Sequence, residues 1–433
     1  MTEKFLYYIW QFQYFNKQNL QTLEGESLNI LRIGLQNTDA GADFQQAQIE
    51  INAKLWAGSI EIHITNTDWN IHKHHINKQY NNVILHVVWT QETNKIAYRE
   101  DGSVIPTLVL SDRVSPLLID KYSQFINQKQ LIPCQSYFKD IDKLKILSML
   151  DNVLVQRLQR KAQIITDLLA ENTGDWEETT YQILSQSFGF KVNSEAFLAL
   201  AKSLPIKILL KHAHDLLDIE ALVFGQSGLL TAMENANKEV DEYSKELIKR
   251  YIYLKYKYNL TSLEAERWKF LRMRPTNFPT IRLAQFSMLI HQILQAQQNF
   301  FTNFIYANTA KELQKILEIS ASDYWHMHYN FSKISTKKIG NLGVDSVNIL
   351  IINTIAPLLT AYSLQKDNDI YIEKAIKILE QLPAETNKIT ELWEDVGLIT
   401  KNAFDAQASI ELYNEFCTKK RCLSCRIGIC IIA

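Results

Sequence analysis

The sequence predicts an α+β protein: a small N-terminal mixed sheet flanked by helices, followed by a large all-α region. Three observations carry this. Within the first ~110 residues apolar side chains alternate with a period of two, as in Ser59-Ile60-Glu61-Ile62-His63-Ile64. From about Asp112 onward they recur at i, i+3 and i+4, the spacing of one helix face. At 433 residues, 46% hydrophobic and 21% charged, the chain has material for two to three cores and is no disordered polymer.

The elements follow in order. An amphipathic helix is expected over about residues 3–16, then a strand near Leu28–Ile33. A Gly/Asn/Asp loop, Gly34–Gly41, leads into two strands, one around Ala47–Ile51 and one around Ser59–Ile64, arranged like a hairpin. A histidine-rich segment, Asn70–Asn81, reads as helical. The apolar run Val83–Trp89 and the stretch Ile105–Leu110 read as strands, with a turn at Asp101-Gly102 between them. Beyond them, Lys143–Leu169, Trp176–Phe188, Ser194–Lys202, Val240–Tyr258 and Ile349–Tyr362 have helical periodicity, punctuated by Gly and Pro. These patterns divide the chain into residues 1–112, a helical region 113–416 with two lobes split near 275–279, and a cysteine-rich tail 417–433. No fixed-period repeat is present.

The net charge is −1, so any affinity for nucleic acid must come from local basic patches. The first residues, MTEKFLYYIWQFQYF, lack the apolar core and cleavage site of a signal peptide, and no apolar run reaches the ~20 residues of a membrane span. The expectation is a cytoplasmic protein with no membrane partner and no evident small-molecule cofactor.

Asp43 lies just before the second strand and Glu61 alternates with apolar residues on the third. Period-two geometry brings Asp43, Glu61 and His63 to one edge of the sheet. Two carboxylates there form a hard-oxygen site for a divalent metal in phosphoryl chemistry. With helix, three strands, helix and strand in this order, Gly41-Ala42-Asp43-Phe44, then sixteen residues, then Glu61-Ile62-His63, resembles the PD-(D/E)XK nuclease superfamily over about residues 1–110. The resemblance implies a restriction-endonuclease-like sheet, Asp43 and Glu61 as ligands of Mg²⁺ or Mn²⁺, and nuclease activity on nucleic acid. His63 stands where that pattern has Lys and Ala42 where it has Pro. His63 can be a general base or a ligand, its ordinary pKa lying near 6.5. The alternative is an inactive nuclease-like module that binds nucleic acid or protein. Asn37, Asp39, Asp68, His72, His75 and His86 are the further candidates for the cleft. On a helix His72 and His75 share a face, as do Asp68 and His72.

The tail, Cys417-x4-Cys422-x2-Cys425-x4-Cys430, has spacing suited to thiolate ligation of zinc or an iron–sulfur cluster. The fourth ligand is Cys430 or Cys134. Between Lys249 and Arg282, nine Lys/Arg stand against two Glu among many aromatics. Arg272, Arg274 and Arg282 around two prolines are the candidates for contact with phosphate or nucleic acid. Taken whole, the chain resembles a full-length bacterial family known only as a domain of unknown function. That impression rests on residues 37–44, Trp56–His63, Asp68-Trp69, Phe224–Gln226, Arg272–Pro279 and Cys417–Cys425, and it implies no activity.

Overall fold

The computed structural model describes residues 1–37, 39–93, 95–235 and 240–432. They form two compact units. One comprises Met1–Met149 together with Tyr413–Ala433; the other runs from Leu150 to Leu412. The first unit therefore reaches beyond residue 112 and takes in the tail.

The first unit opens with α1, Glu3–Phe12, capped by the Thr2 side chain accepting from the Phe5 amide. Phe5, Leu6, Ile9 and Trp10 are buried. The helix stops at Phe12, short of residue 16, because Gln13 turns left-handed (φ 55°) and closes the last carbonyls. The sheet is built from β1 (Leu28–Arg32), β2 (Leu35–Gln36), β3 (Phe44–Ile51), β4 (Lys54–Thr65) and β5 (Val83–Thr90), with the short β6 (Ala97–Tyr98) and β7 (Val104–Ile105) paired apart from it and β8 (Thr107–Val109) at its edge. The order across it is β1-β3-β4-β5-β8, with β2 beside β3. β1, β3 and β4 pair antiparallel, and β4, β5 and β8 pair parallel. It is a mixed sheet, as the alternation predicts. The expected strand over 105–110 is split at Pro106, which has no N–H to give a ladder but whose carbonyl accepts from the His86 amide.

Two features of the β3–β4 pair set the site. Its two-residue turn places Asn52 and Ala53 at φ 48° and 63°, the left-handed pair whose twist suits a tight hairpin. A bulge between Phe44 and Ala47, with Gln46 at φ 58°, then re-aims the start of β3. β4 lies mid-sheet, so its second half, Gly58–His63, is buried on both faces. Gly58 is required: a Cβ there would meet the Asn82 carbonyl oxygen at 2.4 Å.

Among its described residues, the second unit is helical apart from a ribbon pairing His328–Asn330 with Lys333–Ile334 and two isolated bridges. Pro275–Pro279, expected to mark a boundary between lobes, instead leads into the helix Pro279–Gln295 with proline in its first turn, inside one compact unit. One helical stretch, Val344–Lys366, does have the length and apolarity of a membrane span, with a mean hydropathy of 1.6, contrary to the expectation that no run is long enough. Of its most apolar 18 residues, 78% are buried in the protein. Pro357 in this stretch is preceded by a π-helical turn, Ile351–Ile355, a local unwinding of the kind that accommodates a proline without a break.

Candidate metal centre

The bulge and the alternation of β4 bring Asp43 and Glu61 together through a reciprocal clasp. Glu61 Oε2 accepts from the Asp43 amide at 3.1 Å, and Asp43 Oδ2 accepts from the Ile62 amide at 2.9 Å. Tyr7, from α1, donates its hydroxyl to the Asp43 side chain. Ile60 and Ile62 point to the opposite face and are fully buried. Burial first, then the neighbouring Glu61, pushes the Asp43 carboxyl well above the ordinary carboxylate range. Burial does the same to Glu61, against the Asp43 amide, which favours the ionised form. A half-buried and a buried carboxyl, side by side and short of positive charge, form a site that a cation would stabilise.

Histidines complete it. Glu61 Oε1 lies 3.6 Å from His63 Nε2 and 3.3 Å from His74 Nε2. The latter approach is short of hydrogen-bond geometry, and both His74 nitrogens lack a hydrogen bond. His63 Nε2 lies 3.2 Å from His72 Nδ1, and His63 Nδ1 lies 2.9 Å from His86 Nε2. One nitrogen from each of His63, His72 and His74 lies within 4.8 Å of the others, a spacing that could hold one metal ion. His86 is fully buried and its Nδ1 has no partner. Burial and the surrounding imidazoles push His63 down to about 2; burial and His74 push His86 down to about 3. Both are neutral at physiological pH, the form in which imidazole ligates metal. Trp69 wedges under the cluster. Its ring is fully buried against His74, His86 and Tyr80, and its indole N–H donates to the Tyr98 carbonyl. His72 alone of the four histidines is exposed, so the cluster is reached from solvent there.

The structure departs from the expected cleft at several residues. His74, not His75, joins the cluster. The segment is not one helix: α2, Asp68–Ile71, ends at His72, Lys73 turns left-handed (φ 62°), and a 3₁₀ turn, His74–Ile76, follows. That reversal breaks the i, i+3 relation of His72 and His75. Asp68 is held by its own loop, its Oδ2 accepting from the Thr65 amide. Asn37 braces the loop before β3, donating to the carbonyls of Asp39, Ala40 and Ala42 and accepting from the Asp39 amide. Asp39 is exposed on that loop. Tyr7 and His74 were missed by the sequence reading. The doublet His74-His75 was a signal for the second; nothing local marks Tyr7.

The geometry stands on residues 7–98. A model of the family described as a protein of unknown function (DUF2851) matches residues 3–388, which include every residue of this cluster. The chain belongs to that family. No curated protein and no solved structure matches it. Within the matched span, Arg272 and Arg274 are exposed. Arg282 is buried, its guanidinium donating to Asn277, Gln285 and Ser346 and lying 4.4 Å from the Phe190 ring centroid. It braces a helix start instead of meeting solvent.

Proposed function

We propose that this protein is a metal-dependent phosphodiesterase acting on nucleic acid, of PD-(D/E)XK type, in the cytoplasm. The observation that carries the reading is the clasped Asp43–Glu61 pair, whose Glu61 Oε1 is turned toward His63 and His74. Glu61, His63, His72 and His74 would hold the ion, with Asp43 beside them. Three imidazoles among the donors suit Mn²⁺ or a later first-row ion better than Mg²⁺, which prefers oxygen. A bound ion there would lower the pKa of a coordinated water and polarise a phosphoryl oxygen. The chain's own contributions are then positional. Tyr7 orients Asp43, the Ile62 and Asp43 amides fix the carboxylates, and Trp69 keeps bulk water from the buried side. Neutral His63 fits a ligand rather than the general base, whose pKa should lie near the working pH. Exposed Arg272 and Arg274 are the candidates for backbone phosphate contact.

The test is hydrolysis of single- and double-stranded DNA and RNA with Mn²⁺ or Mg²⁺, comparing the wild type with Glu61→Gln and Asp43→Asn. Metal-dependent cleavage by the wild type, lost in both variants, is expected. A wild type inert with every ion would overturn it. One observation favours the second reading, an inactive binding module: His63 replaces the usual fixed cation, and both its nitrogens are occupied by other histidines. Binding without cleavage, steeply weakened by salt, would support that reading.

A further inference from the structure

Away from the carboxylates, the structure gathers cysteines from segments far apart in the sequence. Cys134, Cys417, Cys422 and Cys425 line one small void with Phe125, Pro133, Phe416 and Gly428. All four are free thiols, at least nine-tenths buried. Cys417 is close enough to interact electrostatically with the other three, and Cys134 with Cys422 and Cys425. Cys430, the other candidate for fourth ligand, lines a different cavity with Tyr137, Asp140 and Lys145. The choice left open by spacing falls to Cys134.

Two local features are those of a ligating loop. The Cys425 sulfur accepts hydrogen bonds from the backbone N–H groups of Ile427 and Gly428, the kind of second-layer contact that orients a ligand and tunes a metal centre. Gly428 lets the chain fold onto the Cys422–Cys425 turn, since a Cβ there would stand 2.3 Å from the Cys422 carbonyl oxygen. The void measures about 10 Å³ and its wall is carbon and sulfur only. That is no site for water, which needs two to four polar partners. It also has more room than one zinc ion uses. No three of the four sulfurs come within 4.8 Å of one another, whereas thiolates drawn to ~2.3 Å from one tetrahedral zinc stand about 3.8 Å apart. A polynuclear cluster, whose ligands stand farther from its centre, suits the space.

We propose that Cys134, Cys417, Cys422 and Cys425 ligate an iron–sulfur cluster that joins the 132–134 segment to residues 417–425 of the same unit. The claim is independent of the nuclease reading, since it shares no residue with the carboxylate–histidine cluster.

The full-length chain, purified without oxygen, is expected to be brown. It should contain iron and acid-labile sulfide in equal amounts, more than one of each per chain. Cys134→Ser and Cys422→Ser should lose the colour and most of the iron, while Cys430→Ser and Glu61→Gln retain both. Should the serine variants misfold, anaerobic reconstitution of the stripped wild type with ferrous iron and sulfide gives the same stoichiometry without them. One zinc per chain, no metal after reconstitution, disulfides among these four cysteines, or loss of iron in Cys430→Ser with retention in Cys134→Ser would each overturn the proposal. Absent nuclease activity with the cluster present would fail only the carboxylate site; nuclease activity without a cluster would fail only this one.

Discussion

The carboxylate–histidine cluster and the cysteine pocket lie in the same unit but are built on opposite principles. The first draws every member except Tyr7 from residues 43–86, is polar, and reaches solvent at His72. The second joins residues far apart in sequence and has a wall of carbon and sulfur, its four cysteines buried. In the first, two adjacent carboxyls short of positive charge and orphaned imidazole nitrogens carry an electrostatic cost that a hard or borderline cation would relieve. In the second, thiols sit among apolar groups at little cost until they ionise onto a soft metal. A polar site reached from solvent suits turnover, and a buried sulfur site suits structure.

The largest effect that would sharpen this contrast is expected from Trp69→Ala. Removing a fully buried ring from beneath three aromatic neighbours should cost about 3–5 kcal/mol in denaturant unfolding. A cost under about 1 kcal/mol would mean that the cluster does not depend on its wedge. Next comes ligand stabilisation. Mn²⁺ at a hundredfold its Kd should add about 2.7 kcal/mol to the wild type by linkage, and little to Glu61→Gln. Equal stabilisation of both would place the ion elsewhere. At the other site, Gly428→Ala forces a Cβ against the Cys422 carbonyl and should cost about 1–3 kcal/mol. The visible absorbance should fall while the Mn²⁺ shift persists. Loss of both together would show that the two centres are not independent.

A pH series gives a gentler slope. Asp43 and Glu61 are raised in the fold by burial, so without metal their contribution is complete below the ordinary carboxyl range, near pH 4, and is lost as pH rises through their folded values. His63 and His86 are lowered, so their contribution is complete above about pH 6.5 and lost as pH falls. The two trends oppose each other between. Glu61→Gln removes some of the first alone, so its Tm should fall less, or rise, from pH 5 to 7 relative to the wild type. Parallel curves would show that Glu61 is not raised. The smallest effect on stability belongs to Arg272→Ala and Arg274→Ala, which lie at the surface and should change it by under about 0.5 kcal/mol. If they meet phosphate, each should reduce the salt slope of nucleic-acid binding by about 1.

The same contrast explains what the sequence made legible. Glu61 and His63 alternate along one strand, and Asp43 lies one short hairpin away, so strand periodicity alone brought them together. Ligand choice at His74 was lost because one backbone reversal, at Lys73, separates a 3₁₀ turn from α2, and no residue type there demands the left-handed conformation. Tyr7 and Cys134 depend on packing between segments distant along the chain, which periodicity does not encode; Cys134 came into view only because cysteine is rare here. Arg282 was misplaced for a related reason. Charge composition does not distinguish an arginine facing solvent from one buried among Asn277, Gln285 and Ser346.

The first unit is interrupted: the chain leaves it after Met149 and returns only at Tyr413. On the ribosome, at roughly 5–20 residues per second, Cys134 emerges and then waits of order tens of seconds while the whole helical insertion is made. Until residues 417–425 appear its thiol has no partners from the tail, so any assembly at the cysteine pocket must wait for the whole helical insertion. Premature termination anywhere in the insertion leaves the first unit unfinished.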